Sequence, residues 1–231
     1  MQIGSVFFMN AFAQAPSTRE LGISLGGINY KGEIAPKYRF GNNQPAVMVF
    51  YRRDISSPVT LRASGLLGGV AATDNYFKLP LNQFRQARLR GTLIELAGGM
   101  EYNFMDYYDL RRRIRWTPYF FLNVAGYYVK TKTESSTVGN IINKEDSFFS
   151  FSIPIGAGIK YALSKHWNLG LEIGARKIFT DSFDNLDKAT PTTLANPHNN
   201  DWYFYNGISI SYTFYKIECA KIYRGKVTPL Q

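Results

Sequence analysis

Two histidines and one cysteine are the scarce reactive side chains of this 231-residue chain. His166 stands between Lys165 and Trp167, a setting that reads as a solvated turn and not as a catalytic base. His198 lies in Asn196-Pro197-His198-Asn199-Asn200-Asp201, where turn formers surround it and no nucleophile pairs with it. The lone Cys219 excludes an internal disulfide framework and any multi-cysteine zinc or iron-sulfur site. Asp181, Asp184 and Asp187 recur at every third position, but a calcium loop alternates its ligands and carries a central glycine. They read as a solvated acidic loop. The glycines lie within alternating segments and not in a phosphate-cradling turn that opens a helix. The chemistry therefore predicts a protein that is not an enzyme, with no metal or cofactor.

A formal net charge of +10 raises the question of nucleic acid, yet the basic residues are dispersed along the chain. Only Arg111, Arg112, Arg113 and Arg115 cluster tightly, and Asp106 and Asp109 precede them, as in a solvated turn. Nucleic acid is not an expected partner.

The elements that hold these residues show a period of two. No stretch approaches the roughly 20 apolar residues of a spanning helix, because Gly, Ser, Asn, Arg or Glu interrupts every apolar run. Aromatic residues reach 16%, a share that suits rings settled at a membrane interface. A barrel strand crosses lipid in about 9 to 11 residues, with apolar side chains alternating against small or polar ones. The segment around Ile210 does this clearly: Phe204, Ile208, Ile210, Tyr212 and Phe214 oppose Tyr205, Gly207, Ser209, Ser211 and Thr213. Leu21, Ile23 and Leu25 likewise oppose Gly22, Ser24 and Gly26. Ile94, Leu96, Met100 and Tyr102 oppose Glu95, Ala97, Gly99 and Glu101. Two further segments, Phe151 to Tyr161 and Asn168 to Arg176, keep the same alternation. Ring-rich or glycine-rich stretches at Ala46 to Arg53, Thr60 to Ala72 and Trp116 to Lys130 bring the count to eight.

The fold class this predicts is all-β: an eight-stranded antiparallel transmembrane β-barrel with both mature termini in the periplasm. Connector lengths support it. Long polar loops are expected at Lys31 to Gln44, Thr73 to Gly91, Thr131 to Ser147 and Asp181 to Asp201, with short links at Asp54 to Val59, Met105 to Arg115 and Ser164 to His166. Long loops outside and short turns in the periplasm is the outer-membrane arrangement. Tyr30, Tyr102, Phe104, Trp116, Tyr128, Trp167, Phe179, Trp202 and Tyr215 are the expected interfacial aromatics.

Residues 1–15 read as a signal peptide, mostly apolar from Ile3 to Phe12 and ending in the small-residue pattern Ala11-Phe12-Ala13-Gln14-Ala15. No basic residue precedes Arg19, which departs from the usual signal and fits a truncated start. Residues 16–216 then form the barrel, and 217–231 a basic periplasmic tail. The localisation expected is the bacterial cell outer membrane.

Eight strands enclose a lumen that side chains fill, so the expectation is a plugged barrel and not a channel. Glu95, Glu101 and Glu172 share inward faces with Lys160, Arg176 and Arg62, in a setting where an unpaired buried charge is costly. An interior charge network follows, with packing as its expected role.

Several runs together resemble the PorG-like outer-membrane proteins of Bacteroidota. They are Glu20-Leu21-Gly22-Ile23-Ser24-Leu25-Gly26-Gly27-Ile28-Asn29-Tyr30-Lys31-Gly32-Glu33-Ile34, Ser152-Ile153-Pro154-Ile155-Gly156-Ala157-Gly158-Ile159-Lys160-Tyr161, Leu169-Gly170-Leu171-Glu172, Phe179-Thr180-Asp181 and Asn199-Asn200-Asp201-Trp202-Tyr203. The resemblance implies a component of the type IX protein secretion system, which in many members also supports gliding motility. Such a barrel holds a periplasmic ring, built from a lipoprotein and its partner subunit, against the outer membrane, and is not the translocation pore. Cys219, Lys221 and Arg224 of the tail, with Arg111, Arg112, Arg113 and Arg115 of the turn, are the expected partner-binding residues. The alternative is a small general outer-membrane barrel that binds lipid or ligand.

Overall fold

The computed structural model describes residues 17–31, 43–73, 88–107, 114–137, 140–178 and 202–216. Among them eight strands run in chain order: β1 (Ser17–Lys31), β2 (Gln44–Asp54), β3 (Val59–Thr73), β4 (Arg88–Asn103), β5 (Trp116–Thr137), β6 (Asn140–Ala162), β7 (Trp167–Ile178) and β8 (Trp202–Lys216). Each pairs antiparallel with its sequence neighbours, and β1 closes on β8 from Ser17↔Lys216 to Lys31↔Trp202. Closure satisfies every strand edge, the condition for β-structure in lipid. The end that carries Ser17, Lys216 and the short links is the lower end, and the opposite one the upper end.

The distribution of side chains is inverted relative to a water-soluble protein. Leu96 is 70% exposed, Ile173 68% and Val124 66%, while Arg176, Lys160 and Glu101 are sealed inside. Burying charges and exposing a continuous apolar wall is stable only where the outside is hydrocarbon. The alternation read from the sequence is plain in β7, whose residues switch between exposed and buried at each step from Trp167 to Gly174.

One connector departs from expectation. Thr131 to Ser147 is not a loop, because β5 and β6 continue upward as a paired ribbon to Thr137↔Asn140. The run is rich in threonine, which favours extended backbone, and the ladder sets Lys132 opposite Glu145, an opposite-charge pair that supports it. Polarity marked this segment as lying beyond the hydrocarbon. It did not mark it as irregular.

The lumen is filled in layers. Ile28, Tyr30, Met48, Leu66, Val70, Leu93, Tyr127, Val129 and Ile178 belong to an apolar and aromatic cluster that extends into its upper half. Tyr30 is therefore not an interfacial aromatic: its inward parity on β1 leaves it 2% exposed. Tyr102, Phe104, Trp116, Tyr128 and Trp167 are exposed on the outer wall, whereas Trp202 and Tyr215 are half-buried. Phe179 lies outside the described residues. Large rings inside require small neighbours on the adjoining strands. A Cβ on Gly156 would lie 2.6 Å from Phe121 Cζ, and one on Gly174 would lie 2.8 Å from the same atom. The two glycines make the space that Phe121 occupies.

Candidate functional site

The densest chemistry among the described residues lies in the lower half of the lumen, where β1, β2, β3, β4, β6 and β7 deliver charged side chains to one place. Arg52, on β2, donates through Nε to Glu101 Oε1 at 2.7 Å and through Nη1 to Glu20 Oε1 at 2.8 Å. Arg62, on β3, grips Glu172 with two bonds, Nη1 to Oε2 at 2.6 Å and Nη2 to Oε1 at 3.0 Å, and also reaches Glu101 Oε1 at 3.1 Å. Lys160, on β6, donates to Glu101 Oε2 at 2.6 Å and to Asn103 Oδ1 at 3.2 Å. Tyr119 donates to Glu172 Oε2 at 2.9 Å, and Ser211 to Glu20 Oε1 at 2.6 Å.

Three cations, Arg52, Arg62 and Lys160, thus meet three carboxylates, Glu20, Glu101 and Glu172. Local neutrality matters because the desolvation of each ion is offset only by close, hydrogen-bonded partners. Rings complete the cage. The Arg52 guanidinium lies 4.1 Å from the Phe50 ring centroid, Arg62 lies 4.8 Å from Phe121, and Lys160 lies 4.7 Å from Tyr119.

Nearer the upper end, Arg176 approaches Glu95 at 3.8 Å and donates to the Gly174 carbonyl at 2.9 Å. Tyr203 donates to Glu95. The structure thus sorts Arg62, Glu101, Lys160 and Glu172 into one cluster and Glu95 with Arg176 into another. Sequence reasoning missed Glu20, Arg52, Tyr119 and Tyr203. Glu20 was legible by parity, since it is two residues before Gly22 and extends that inward face; Arg52 lies in the ring-rich stretch Ala46 to Arg53, where the two faces are not separated by residue type.

At the lower mouth the link after β4 folds inward. Tyr107 is 1% exposed and donates to Asn168 Oδ1 at 2.6 Å, while Asn168 donates to Thr213 Oγ1 at 2.7 Å. Burial, reinforced by Glu20, pushes the Tyr107 phenol well above its ordinary range, so it keeps the proton it donates.

Two residues of this end differ from expectation. Arg115, expected to bind a partner, is only 8% exposed and donates to the Ser164 carbonyl at 2.6 Å and the Tyr215 hydroxyl at 3.1 Å. It fastens the β4–β5 link to the β6–β7 turn and the end of β8. His166 is not a free turn residue either. Its Nδ1 sits 2.9 Å from the Thr213 carbonyl, and its ring stacks on Tyr212 at 5.2 Å with planes 9° apart. The expected partner-binding residues Arg111, Arg112, Arg113, Cys219, Lys221 and Arg224 lie outside the described residues, as do His198 and Asp181, Asp184 and Asp187.

On the outer wall an apolar groove of about 710 Å³ runs between Met100, Tyr102, Phe120, Leu122, Ile155 and Ala157. It faces lipid and does not enter the barrel.

A closed eight-stranded antiparallel barrel with an apolar wall and a charged, filled lumen defines an outer-membrane β-barrel of the bacterial type. The chain belongs to the family described as a domain of unknown function, DUF6089, whose profile matches residues 2–222. No curated protein matches it. Among solved structures, a major outer membrane protein from Thermus thermophilus superposes with a TM-score of 0.52 at 14% identity, covering 87% of this chain and 100% of that one. Ail, the attachment invasion locus protein of Yersinia pestis, gives 0.49 at 12% identity over 87% of this chain and 100% of its own. The N-terminal β-barrel domain of Pseudomonas aeruginosa OprF gives 0.44 at 12%, over 86% and 99%. At these identities what is shared is the fold.

Proposed function

We propose that this barrel is a non-catalytic outer-membrane anchor of a type IX protein secretion machine, holding a periplasmic lipoprotein-containing ring against the membrane. The observation that carries the anchoring role is the filled lumen. Tyr107 is buried at the lower mouth, the Arg52–Glu101–Lys160 cluster fills the lower half, and the aromatic cluster extends into the upper half. Such a barrel gives no passage to a protein or a solute, which suits a fixed point in the membrane better than a conduit. The assignment to this particular machine is supported by the resemblance of Glu20 to Ile34 and Ser152 to Tyr161, the first mostly in β1 and the second in β6.

The test is to tag the barrel, solubilise membranes gently and ask what is recovered with it, alongside secretion in a strain lacking it. Recovery of a periplasmic lipoprotein ring and loss of cargo export is the expected pair of results. Normal export without the barrel contradicts the proposal. Within the same experiment, non-reducing electrophoresis of Cys219→Ser and of a chain truncated after Tyr215 asks whether the tail docks. Docking through Cys219 predicts that a higher-mass species disappears, and unchanged ring recovery moves the contact to Arg111, Arg112 and Arg113.

A further inference from the structure

Two arginines at the lower rim of the outer wall are used neither by the sealed lumen nor by the anchoring role. Arg19 on β1 and Arg53 on β2 are both exposed, and the register sets them directly opposite each other. Like charges directly opposite on one face of a sheet destabilise the pairing. Their neighbours on that face are Leu21, Tyr51, Leu61 and Phe214, all exposed and none of them acidic. The carboxylates beside them in sequence turn the other way: Glu20 accepts from Arg52 and Ser211 inside the lumen, and Asp54 accepts from Thr60, a residue sealed from solvent. Among the described residues neither arginine has an ion-pair partner.

The register also fixes their depth. Trp167 pairs with Tyr212, Tyr212 with Leu21 and Leu21 with Tyr51, so three rings and a leucine form one row across β7, β8, β1 and β2. Such rings settle at the membrane interface. Arg19 and Arg53 stand two residues nearer the lower end, roughly 5 Å beyond that row on tilted strands. Above the row the same outer faces carry Ile23, Leu25, Val47 and Val49, all exposed and apolar. The two arginines therefore lie at headgroup phosphates, with a wall for acyl chains directly above them.

We propose that Arg19 and Arg53 bind the phosphate of an anionic phospholipid in the leaflet at the lower end, which is the periplasmic leaflet in the orientation that the anchoring role requires. A phosphate between two opposed guanidinium groups turns a repulsive cross-strand pair into a bridged one, and each planar guanidinium matches the phosphate oxygens with parallel hydrogen bonds. The charge of this face selects the headgroup. A zwitterionic lipid brings an ammonium group together with its phosphate, and the described side chains around the arginines offer that ammonium no carboxylate. The apolar wall above the pair distinguishes a lipid from a free phosphate as the occupant.

The experiment places a photo-crosslinking benzoyl-phenylalanine at Leu61, an exposed position directly opposite Arg53 on β3. The barrel is reconstituted into phosphatidylcholine nanodiscs with increasing phosphatidylglycerol or, in a parallel series, phosphatidylethanolamine, and the adducts are sorted by mass. Phosphatidylglycerol adducts should saturate while that lipid is still a minor component, whereas phosphatidylethanolamine adducts should only follow its mole fraction. In the Arg19→Gln, Arg53→Gln double variant the half-saturating phosphatidylglycerol fraction should rise at least about tenfold, from the attraction each cation near an anionic surface contributes. Lys165→Gln, which removes an exposed cation of the β6–β7 turn, should leave it unchanged. The heat-dependent gel mobility of a folded barrel confirms that each variant is assembled. Unchanged labelling in the folded double variant overturns the proposal, as does an equal shift in Lys165→Gln, which would make the attraction one of net charge. Equal saturation by phosphatidylethanolamine overturns the assignment to an anionic lipid. In intact cells phospholipid adducts are expected, and adducts to a glycolipid of the outer leaflet or to a protein in their place would overturn the site. Ring recovery and export by the double variant should stay normal, which separates failure of this site from failure of the anchoring role.

Discussion

Glu101 accepts from Arg52, Arg62 and Lys160 at once, which makes it the carboxylate on which the charge cluster converges. Removing it leaves those three buried cations facing only Glu20 and Glu172. Glu101→Ala is expected to destabilise the folded barrel by about 3–5 kcal/mol, the range for breaking a buried ion pair. Urea unfolding in detergent micelles, followed by the gel mobility shift, measures it, and a loss below about 1 kcal/mol would place the charge network outside the stabilising core. Gly156 tests the packing in the opposite sense. Gly156→Val inserts atoms where Phe121 lies and should cost about 1–3 kcal/mol by the same assay. Residue orientation was legible in the sequence wherever parity was unambiguous, which is why Glu95, Glu101 and Glu172 were placed inward. Which carboxylate meets which cation was not legible, because that depends on how far each strand is staggered around the barrel. The inward turn of Tyr107 was equally hidden, since nothing in Met105 to Arg115 distinguishes a link that dips into the mouth from one that does not.

At the scale of the element, β8 tests depth. Ile210 and Phe214 share its outer face, but Phe214 pairs with Arg19 near the lower rim while Ile210 pairs with Ile23 deeper in the apolar wall. A charge facing lipid costs about 2–4 kcal/mol at mid-depth and about 0–1 near the interface. Ile210→Arg should therefore lower outer-membrane levels and stability much more than Phe214→Arg, read by fractionation and urea unfolding. Equal effects would mean that the wall is not graded by depth. The strand count and most strand positions were legible because alternation over roughly eight to ten residues has no helical equivalent. The upper ribbon of β5 and β6 was not, because Lys130 to Ser147 lacks apolar alternation while keeping the extended backbone. The period-two signal reports lipid contact, and a strand that leaves the lipid loses the signal without losing its ladder.

For the whole molecule the inverted arrangement leads to two expectations. The first concerns permeability: with the lumen filled from Tyr107 to Tyr30, the purified barrel in planar bilayers should show no large stable conductance. Steady openings of a porin's size would mean that the charged cluster parts to admit water. The second concerns the wall itself, on which the membrane assignment depends most directly. With Cys219→Ser as background, single spin labels are placed at Leu169, Leu171, Ile173 and Ala175 of the outer face, and at the exposed turn residue Lys165 as a reference, in reconstituted bilayers. Their accessibility to dissolved oxygen, which concentrates in lipid, is then compared with that to a water-soluble nickel chelate. The structure predicts that labels at 169, 171, 173 and 175 are reached by oxygen and shielded from the chelate, whereas the label at 165 is reached by the chelate. High nickel accessibility at positions 169, 171, 173 and 175 would contradict the account, because it would put water where the barrel requires hydrocarbon.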